Sequence, residues 1–112
     1  MANTFKNKVY SGANTSANAL MSVYTADTTN LTATVVIGLT LANTTSSQIT
    51  ADIKLMAGQS VFLAKAIPIP AGSSFEYMGG NKIIMESGDT LQVASNTADS
   101  LDTVLSIMEI TS

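Results

Sequence analysis

The residues of this chain that are most suited to chemistry are two acidic pairs beside predicted turns. Glu86 and Asp89 flank Gly88, and Asp99 and Asp102 stand three positions apart. Paired carboxylates can carry out general acid–base catalysis or bind calcium, but calcium takes about six to eight oxygen ligands and neither pair has the spacing of a calcium loop. An Asp beside a turn glycine usually caps the turn backbone. The sequence therefore predicts solvated turn carboxylates, with a calcium or magnesium site as the alternative.

The residue types that are missing exclude most other chemistry. The chain contains no His, Cys, Trp or Arg. Without His it has no Ser-His-Asp triad, and without His or Cys it has no standard zinc or iron–sulfur site. Without Arg it has no bidentate phosphate clamp. Phosphate-loop, dinucleotide-binding and Ser–Lys motifs are absent as well. We therefore expect no enzymatic activity, no metal site and no cofactor.

Charge is scarce and scattered. Charged residues make up 12% of the chain and the net charge is −3, whereas an ordinary soluble domain has about 25% charged residues. About a quarter of the residues are Ser or Thr, so hydroxyl groups supply much of the polar surface. The five lysines form no basic patch; they are Lys6, Lys8, Lys54, Lys65 and Lys82. Binding to nucleic acid or to a membrane surface is therefore not expected.

Neither a signal peptide nor a membrane span is predicted. Residues 1–15 are polar and lack the apolar segment of a signal peptide. The most apolar window, 55–72, is interrupted by Gly58, Pro68 and Pro70. A bilayer helix needs about 20 uninterrupted apolar residues, so this window is typical of two core strands joined by a turn.

Alternation with a period of two residues dominates the chain and predicts an all-β fold. In the run 34–41, Val35, Ile37, Leu39 and Leu41 alternate with smaller residues, which predicts one face for these four side chains. The expected strands lie near 5–10, 19–26, 32–42, 48–56, 60–67, 73–78, 82–86, 90–95 and 102–110. We expect a single β-sandwich or jelly-roll-like domain of about eight strands, or nine if the first segment is counted.

Turn signals separate these runs. Residues 43–47 and 57–59 are typical of turns, and 79–81 and 87–89 have the character of hairpins. Three N-x-[ST] sequons, at Asn14, Asn30 and Asn43, are expected by chance in a chain so rich in Asn and Thr.

Residues 1–17 differ from the rest and predict an extended N-terminal arm preceding a domain at 18–112. Phe5, Val9 and Tyr10 are the large apolar side chains of this segment, and we expect them to anchor the arm on a neighbouring subunit. In an extended chain Lys6 and Lys8 point away from Phe5 and Val9, towards an acidic neighbour. Such an arm is dispensable for folding and needed for assembly; the alternative is a frayed terminus.

Several segments resemble small structural proteins of tailed bacteriophages. They are IPIPAGSS at 67–74, GGNKIIMESGDTLQV at 79–93, VLSIMEI at 104–110 and two shorter stretches at 22–26 and 38–43. The resemblance covers about 90 residues and transfers no residue role beyond strand and turn. It implies a β-sandwich virion component that is assembled in the bacterial cytoplasm.

The resemblance leaves the position on the particle open. A capsid decoration or cement protein is the first expectation, with copies of itself, as a trimer or lattice, and a major capsid or tail protein as partners. A tail, neck or baseplate component is the alternative. A carbohydrate- or host-binding module is a further alternative, because sugar sites stack rings on aromatic side chains. The aromatic residues are Phe5, Phe62, Phe75, Tyr10, Tyr24 and Tyr77.

Overall fold

The computed structural model describes residues 2–12, 15–26, 28, 31–77 and 83–111. Within them the chain is all-β, as predicted. The nine strands are β1 (Ala2–Tyr10), β2 (Met21–Thr25), β3 (Leu31–Asn43), β4 (Ile49–Ala57), β5 (Gln59–Ile69), β6 (Ser74–Glu76), β7 (Ile83–Met85), β8 (Thr90–Ser95) and β9 (Leu101–Thr111). Each expected strand has its counterpart, and the first segment is a true strand.

Two antiparallel sheets form a β-sandwich. The five-stranded sheet has the order β1-β9-β3-β6, and β7 also pairs with β3, so that β6 and β7 share one edge of β3. The four-stranded sheet has the order β2-β8-β4-β5. The core consists of the side chains that both sheets turn inwards; fully buried members include Leu39, Leu41, Ile53, Leu91 and Leu105. Alternation is as predicted in β9, where every second residue from Leu101 to Glu109 is buried, and in β4 as far as Ile53.

The prediction of a single face for the apolar residues of β3 is wrong. Pairing with β9 shifts between Val36 and Gly38, which is a β-bulge. An extra residue in one strand reverses the facing of everything after it. Val36 and Leu39 are consequently both buried, and Ile37 between them is exposed.

The N-terminal segment is not a free arm in this structure. Residues 2–10 form β1, an edge strand whose nine residues pair in continuous antiparallel register with residues 103–111 of the same chain. Backbone hydrogen bonds along this ladder satisfy polar groups that an isolated arm would leave to water. The expected alternation is present, with Phe5 and Val9 on one side of β1 and Lys6 and Lys8 on the other.

The turn at 87–89 is present, but it does not close a hairpin. Asp89 accepts a hydrogen bond from the Glu86 backbone N–H at 2.9 Å, and its own N–H donates to the Glu86 carbonyl. The strands on either side, β7 and β8, belong to different sheets, so this turn crosses the sandwich. The second expected hairpin, 79–81, lies outside the described residues.

Candidate interaction face

The solvent side of the five-stranded sheet, hereafter the outer face, is largely apolar. Two side chains of β1, Phe5 and Val9, are 72% and 69% exposed. Ile84 of β7, Val104 of β9 and Ile37 of β3 are exposed to between 40% and 56%. These five residues are more than half of the large apolar side chains that the described chain leaves exposed, so exposed apolar surface is concentrated on one sheet.

Cross-strand pairing makes this surface continuous. Phe5 lies opposite Met108 and Val9 opposite Val104 across β1 and β9. Val35 lies opposite Met108 on one side and Ile84 on the other. Side chains opposite each other on one face are about 5 Å apart and in contact. An apolar row therefore crosses the whole sheet from β1 to β7.

Charge is nearly absent from the outer face. Within the strands of this sheet, the charged side chains that point outwards are Asp102, at the start of β9, and Glu76, at the end of β6. Both lie towards the same end of the sheet, since Asp102 pairs with Ala42 and Glu76 with Thr40. Apolar surface without interspersed charge is characteristic of surfaces that a partner covers.

The centre of the outer face is a ridge between two hollows. Ile37, the bulge residue, lines a depression of about 260 Å³ together with Gly38, Thr40, Glu76 and Ser106. It also lines a second depression of about 330 Å³, which includes Phe5, Asn7 and Ser106. The smaller hollow lies where Gly38 pairs with Ser106, because neither residue fills the space above the sheet.

A buried polar network beneath β1 fixes the position of this edge strand. The Lys6 ammonium lies 2.8 Å from Glu109 Oε1, and the Tyr24 hydroxyl donates to Glu109 Oε2 at 2.6 Å. The Tyr24 oxygen is also 2.9 Å from Thr34 Oγ1; since the Tyr24 proton is directed to Glu109, the Thr34 hydroxyl donates to Tyr24. The Glu109 carboxylate of β9 thus contacts β1 and β2, and the Tyr24 hydroxyl extends the network to Thr34 of β3.

The network also stabilises the charged form of Glu109. Hydrogen bonds from Lys6 and then from Tyr24 hold the pKa of Glu109 below its ordinary value, with weaker help from the charge of Lys8, and burial of the carboxyl opposes them. A carboxylate that accepts hydrogen bonds from a cation and a hydroxyl stays ionised. The site is therefore a structural tie, because both of its oxygens are occupied within the chain.

The second acidic pair, Asp99 and Asp102, accepts hydrogen bonds from the connection that follows β1. The Gly12 N–H donates to Asp102 Oδ1 at 2.8 Å, and the Thr15 N–H donates to Asp99 Oδ1 at 2.9 Å. Gly12 is buried, and a Cβ at this position would overlap the backbone of Leu101. Both acidic residues thus cap backbone N–H groups, as expected, but these groups belong to residues 12–15 and not to the turn beside the acidic pair.

The predicted assembly residues lie on both sides of β1. Phe5 and Val9 are on the outer face, where a partner can reach them. Lys6 pairs with Glu109 of its own chain instead of an acidic neighbour, and Tyr10 packs against the core. Lys8 lies opposite Leu105 on the inner side.

Sequence reasoning missed Ile37, Ile84 and Val104 as members of an interaction face. Period two identified their strands, but only the bulge and the strand order show that these three residues share one surface.

The four-stranded sheet presents a different surface. Phe62 of β5 is its exposed aromatic residue, and the ammonium groups of Lys65 and Lys54 lie 4.5 and 5.2 Å from the ring centre. Both distances are within the range of cation–π contacts. A sugar ring would therefore have to displace Lys54 or Lys65 in order to stack on Phe62.

The described residues give little support to a metal site, a membrane helix or a glycosylation site. Ranges 2–12, 15–26, 31–77 and 83–111 contain no cluster of three or more acidic groups that could hold a metal ion. The same part of the chain has no helix of sufficient length and apolarity to cross a bilayer. Of the three sequons, Asn43 is buried and its amide nitrogen donates to three backbone carbonyls; Asn14 and Asn30 lie outside the described residues.

Comparison with known proteins identifies the fold. The sequence matches no protein-family model, and no curated protein is similar to it. Among solved structures, a chain of the acid-stable capsid of Helicobacter pylori bacteriophage KHP30 matches with a TM-score of 0.59 and 5% identity, covering 100% of this chain and 90% of that one.

Two further structures share the fold. A protein of Bacillus endospore appendages, described as disulfide-linked pili, matches with a TM-score of 0.55 and 15% identity over 99% of this chain and 88% of the other. A protein of infectious bursal disease virus strain Gx matches with a TM-score of 0.55 and 8% identity; this chain spans 32% of its length. The chain thus has a β-sandwich of the kind found in proteins of viral shells and of a surface filament.

Proposed function

We propose that this chain is a structural, non-enzymatic component of a tailed-phage virion, and more specifically a decoration or cement protein that stabilises the capsid through contacts between subunits. The observation that carries the proposal is the outer face, an almost uncharged apolar sheet surface. The capsid fold likeness and the phage-like segments at 67–74 and 79–93 support the same assignment.

Physical chemistry explains how such a face stabilises a shell. Each square ångström of apolar surface removed from water contributes about 25 cal/mol, and a stable protein–protein contact buries roughly 1,200–2,000 Å² in total. A small subunit that covers apolar surface on its neighbours adds this free energy without any chemistry. The low charge of the chain favours such packing, since few ions must be desolvated.

A tail, neck or baseplate position is the alternative, because the outer face could make contacts between subunits in a ring as well as in a capsid shell. Copy number separates the two: a decoration protein is present in hundreds of copies, and a neck or baseplate protein in multiples of about six. A host-binding role through aromatic stacking has less support, because the exposed rings of Phe5 and Phe62 lie on different sheets and form no common platform, and the ammonium groups of Lys54 and Lys65 already contact Phe62.

The test is to purify particles from a culture that carries the gene, by density gradient, and to quantify this chain by mass spectrometry against the major capsid protein. We expect it to co-purify with particles at hundreds of copies. A copy number near six or twelve would favour the alternative position. Absence from the particles, while the chain is found free in the lysate, would refute a virion role.

A further inference from the structure

We infer that the outer face docks a second copy of this chain, face to face about a two-fold axis, with Ile37 of each copy seated in a hollow of the other. This inference rests on the proposed structural role and deepens it, because it names the surface and the partner. Its support is the shape, the size and the charge of the outer face.

The shape of the centre is self-complementary. Ile37 projects at the bulge and is flanked by hollows of about 260 and 330 Å³, both lined by Ser106. A two-fold axis that passes between Ile37 and one of these hollows brings the ridge of each copy onto that hollow of the other. Closed two-fold interfaces require this relation, since the same patch must fit itself.

The size of the face is sufficient for a stable dimer. Four strand positions (β1, β9, β3, and β6 with β7) at about 4.8 Å spacing give a width of about 19 Å, and the nine residues of β1 at about 3.3 Å each give a length of about 30 Å. The projected area is then about 570 Å² per copy, or somewhat over 1,100 Å² in total. Side-chain relief raises the accessible area further, towards the range of stable interfaces.

The charge distribution favours a copy of the chain over an ionic partner. Asp102 and Glu76 lie towards one end of the outer face, and Glu76 also borders the smaller hollow, whereas the apolar row of Phe5, Met108, Val35 and Ile84 carries no charge. An ionic partner would find little opposite charge at the centre, because Lys6, which lines the larger hollow, is already paired with Glu109, and Glu76 borders the smaller hollow alone. Two sheets packed in this way would repeat the roughly 10 Å spacing of the sandwich itself.

Gly38→Val is the sharpest test, because it places a side chain in the smaller hollow and its Cβ meets no atom of the subunit. A Cβ at Gly38 meets no heavy atom within 4 Å, and its backbone does not have the positive φ found at Gly58, Gly72 and Gly88. Valine also favours strands. We expect sedimentation velocity of the full chain to give a concentration-dependent dimer for the wild type and at least a tenfold weaker association for Gly38→Val, with an unchanged or raised melting temperature.

Val104→Asp and Val61→Asp form a matched pair. The two valines are 44% and 46% exposed, but Val61 lies in the other sheet. Asp at 104 would be buried unpaired in the dimer and should weaken association by about 100-fold or more; Asp at 61 should leave it unchanged. Should Val104→Asp fail to fold, Val104→Thr keeps the branched shape and should weaken association severalfold.

Cross-linking tests the geometry directly, since the chain has no cysteine of its own. Ser106 is exposed at the centre of the outer face, so Ser106→Cys should form an intermolecular disulfide with itself under mild oxidation. Ser60→Cys, in the exposed β4–β5 hairpin, is the control and should not.

The outcomes separate this inference from the proposed function. A monomeric wild type, or a dimer that Gly38→Val and Val104→Asp leave intact, overturns the docking of a second copy on the outer face. If the chain is nonetheless present in particles, the virion role survives and the outer face contacts a different protein. A dimer that depends on the outer face, formed by a chain that is absent from particles, supports the docking of a second copy and refutes the virion role.

Discussion

Replacing Tyr24 with Phe tests whether the network at Glu109 ties β1 to the sandwich. The change removes one hydroxyl, which donates to Glu109 at 2.6 Å and lies 2.9 Å from Thr34 Oγ1. The ring stays, so the packing of this buried residue is preserved. What is lost is one hydrogen bond to a carboxylate and the acceptor of a buried threonine.

The structure sets the expected magnitude. A hydrogen bond to a charged group contributes about 1.5–3 kcal/mol, and a buried hydroxyl left without its partner adds to the loss. We therefore expect Tyr24→Phe to lower the free energy of unfolding by about 2–3 kcal/mol. At roughly 4 °C per kcal/mol for a domain of this size, the melting temperature should fall by about 8–12 °C.

The stability lost in Tyr24→Phe should depend on pH. Hydrogen bonds from Lys6 and Tyr24 hold the pKa of Glu109 below its ordinary value of 4.5. A lowered folded-state pKa contributes stability that is present above the unfolded-state value and disappears as the pH falls through the folded-state value. The difference between wild type and Tyr24→Phe should thus be full at pH 7 and smaller at pH 3, because Glu109 takes up its proton more readily in the variant, which has lost one of the hydrogen bonds that lower its pKa.

Urea unfolding at both pH values, followed by circular dichroism, measures this difference. Tyr77→Phe is the matched control, because its hydroxyl donates to the neutral Leu63 carbonyl at 3.1 Å; it should cost about 0.5–1.5 kcal/mol at both pH values. The reasoning is refuted if Tyr24→Phe costs less than about 0.5 kcal/mol at pH 7, or if its cost is the same at pH 3.

Three further changes test other parts of the structure by the same urea assay. Thr103→Val should raise the free energy of unfolding by about 1 kcal/mol, because Thr103 Oγ1 is buried and has no hydrogen-bond partner among the described residues; a loss would show that the hydroxyl has one. Asn43→Ala should cost about 2–3 kcal/mol, since the buried amide donates to three backbone carbonyls; a neutral result would contradict these bonds. Deleting residues 2–10 should cost several kcal/mol, because β1 covers one edge of β9; an unchanged melting temperature would restore the dispensable arm that the sequence predicts.

Strand positions were predictable from the sequence because a half-buried strand must alternate. In β4, Ile49, Ala51 and Ile53 are buried while the residues between them are not. The same pattern could not show which strands pair, because alternation is a local property. The turn at 87–89 illustrates this limit: its local hydrogen bonds are those of any tight turn, and only packing sends β7 and β8 into different sheets.

The outer face was not predictable because it depends on one extra residue. Unbroken alternation would place Val35, Ile37, Leu39 and Leu41 on one buried face. The bulge at 36–38 instead turns Ile37 outwards while it keeps Leu39 in the core. Nothing in the composition of the run distinguishes the two arrangements, since Gly38 is compatible with either.

The two sides of β1 link the buried network to the exposed face. The ammonium of Lys6 reaches Glu109 on the inner side, its neighbours Phe5 and Asn7 point outwards, and all three residues line the larger hollow. Neighbouring residues of a strand share one rigid backbone, so the bond that fixes Lys6 also fixes the rim of the hollow. A segment that the sequence predicted as an arm for binding neighbours thus keeps apolar side chains available to a partner while it is anchored, by its lysine, to its own chain. An edge strand that turns Lys6 and Lys8 inwards and leaves Phe5 and Val9 exposed on its outer side contributes little to the core and much to the surface, which is the distribution expected of a strand whose apolar partner is another subunit.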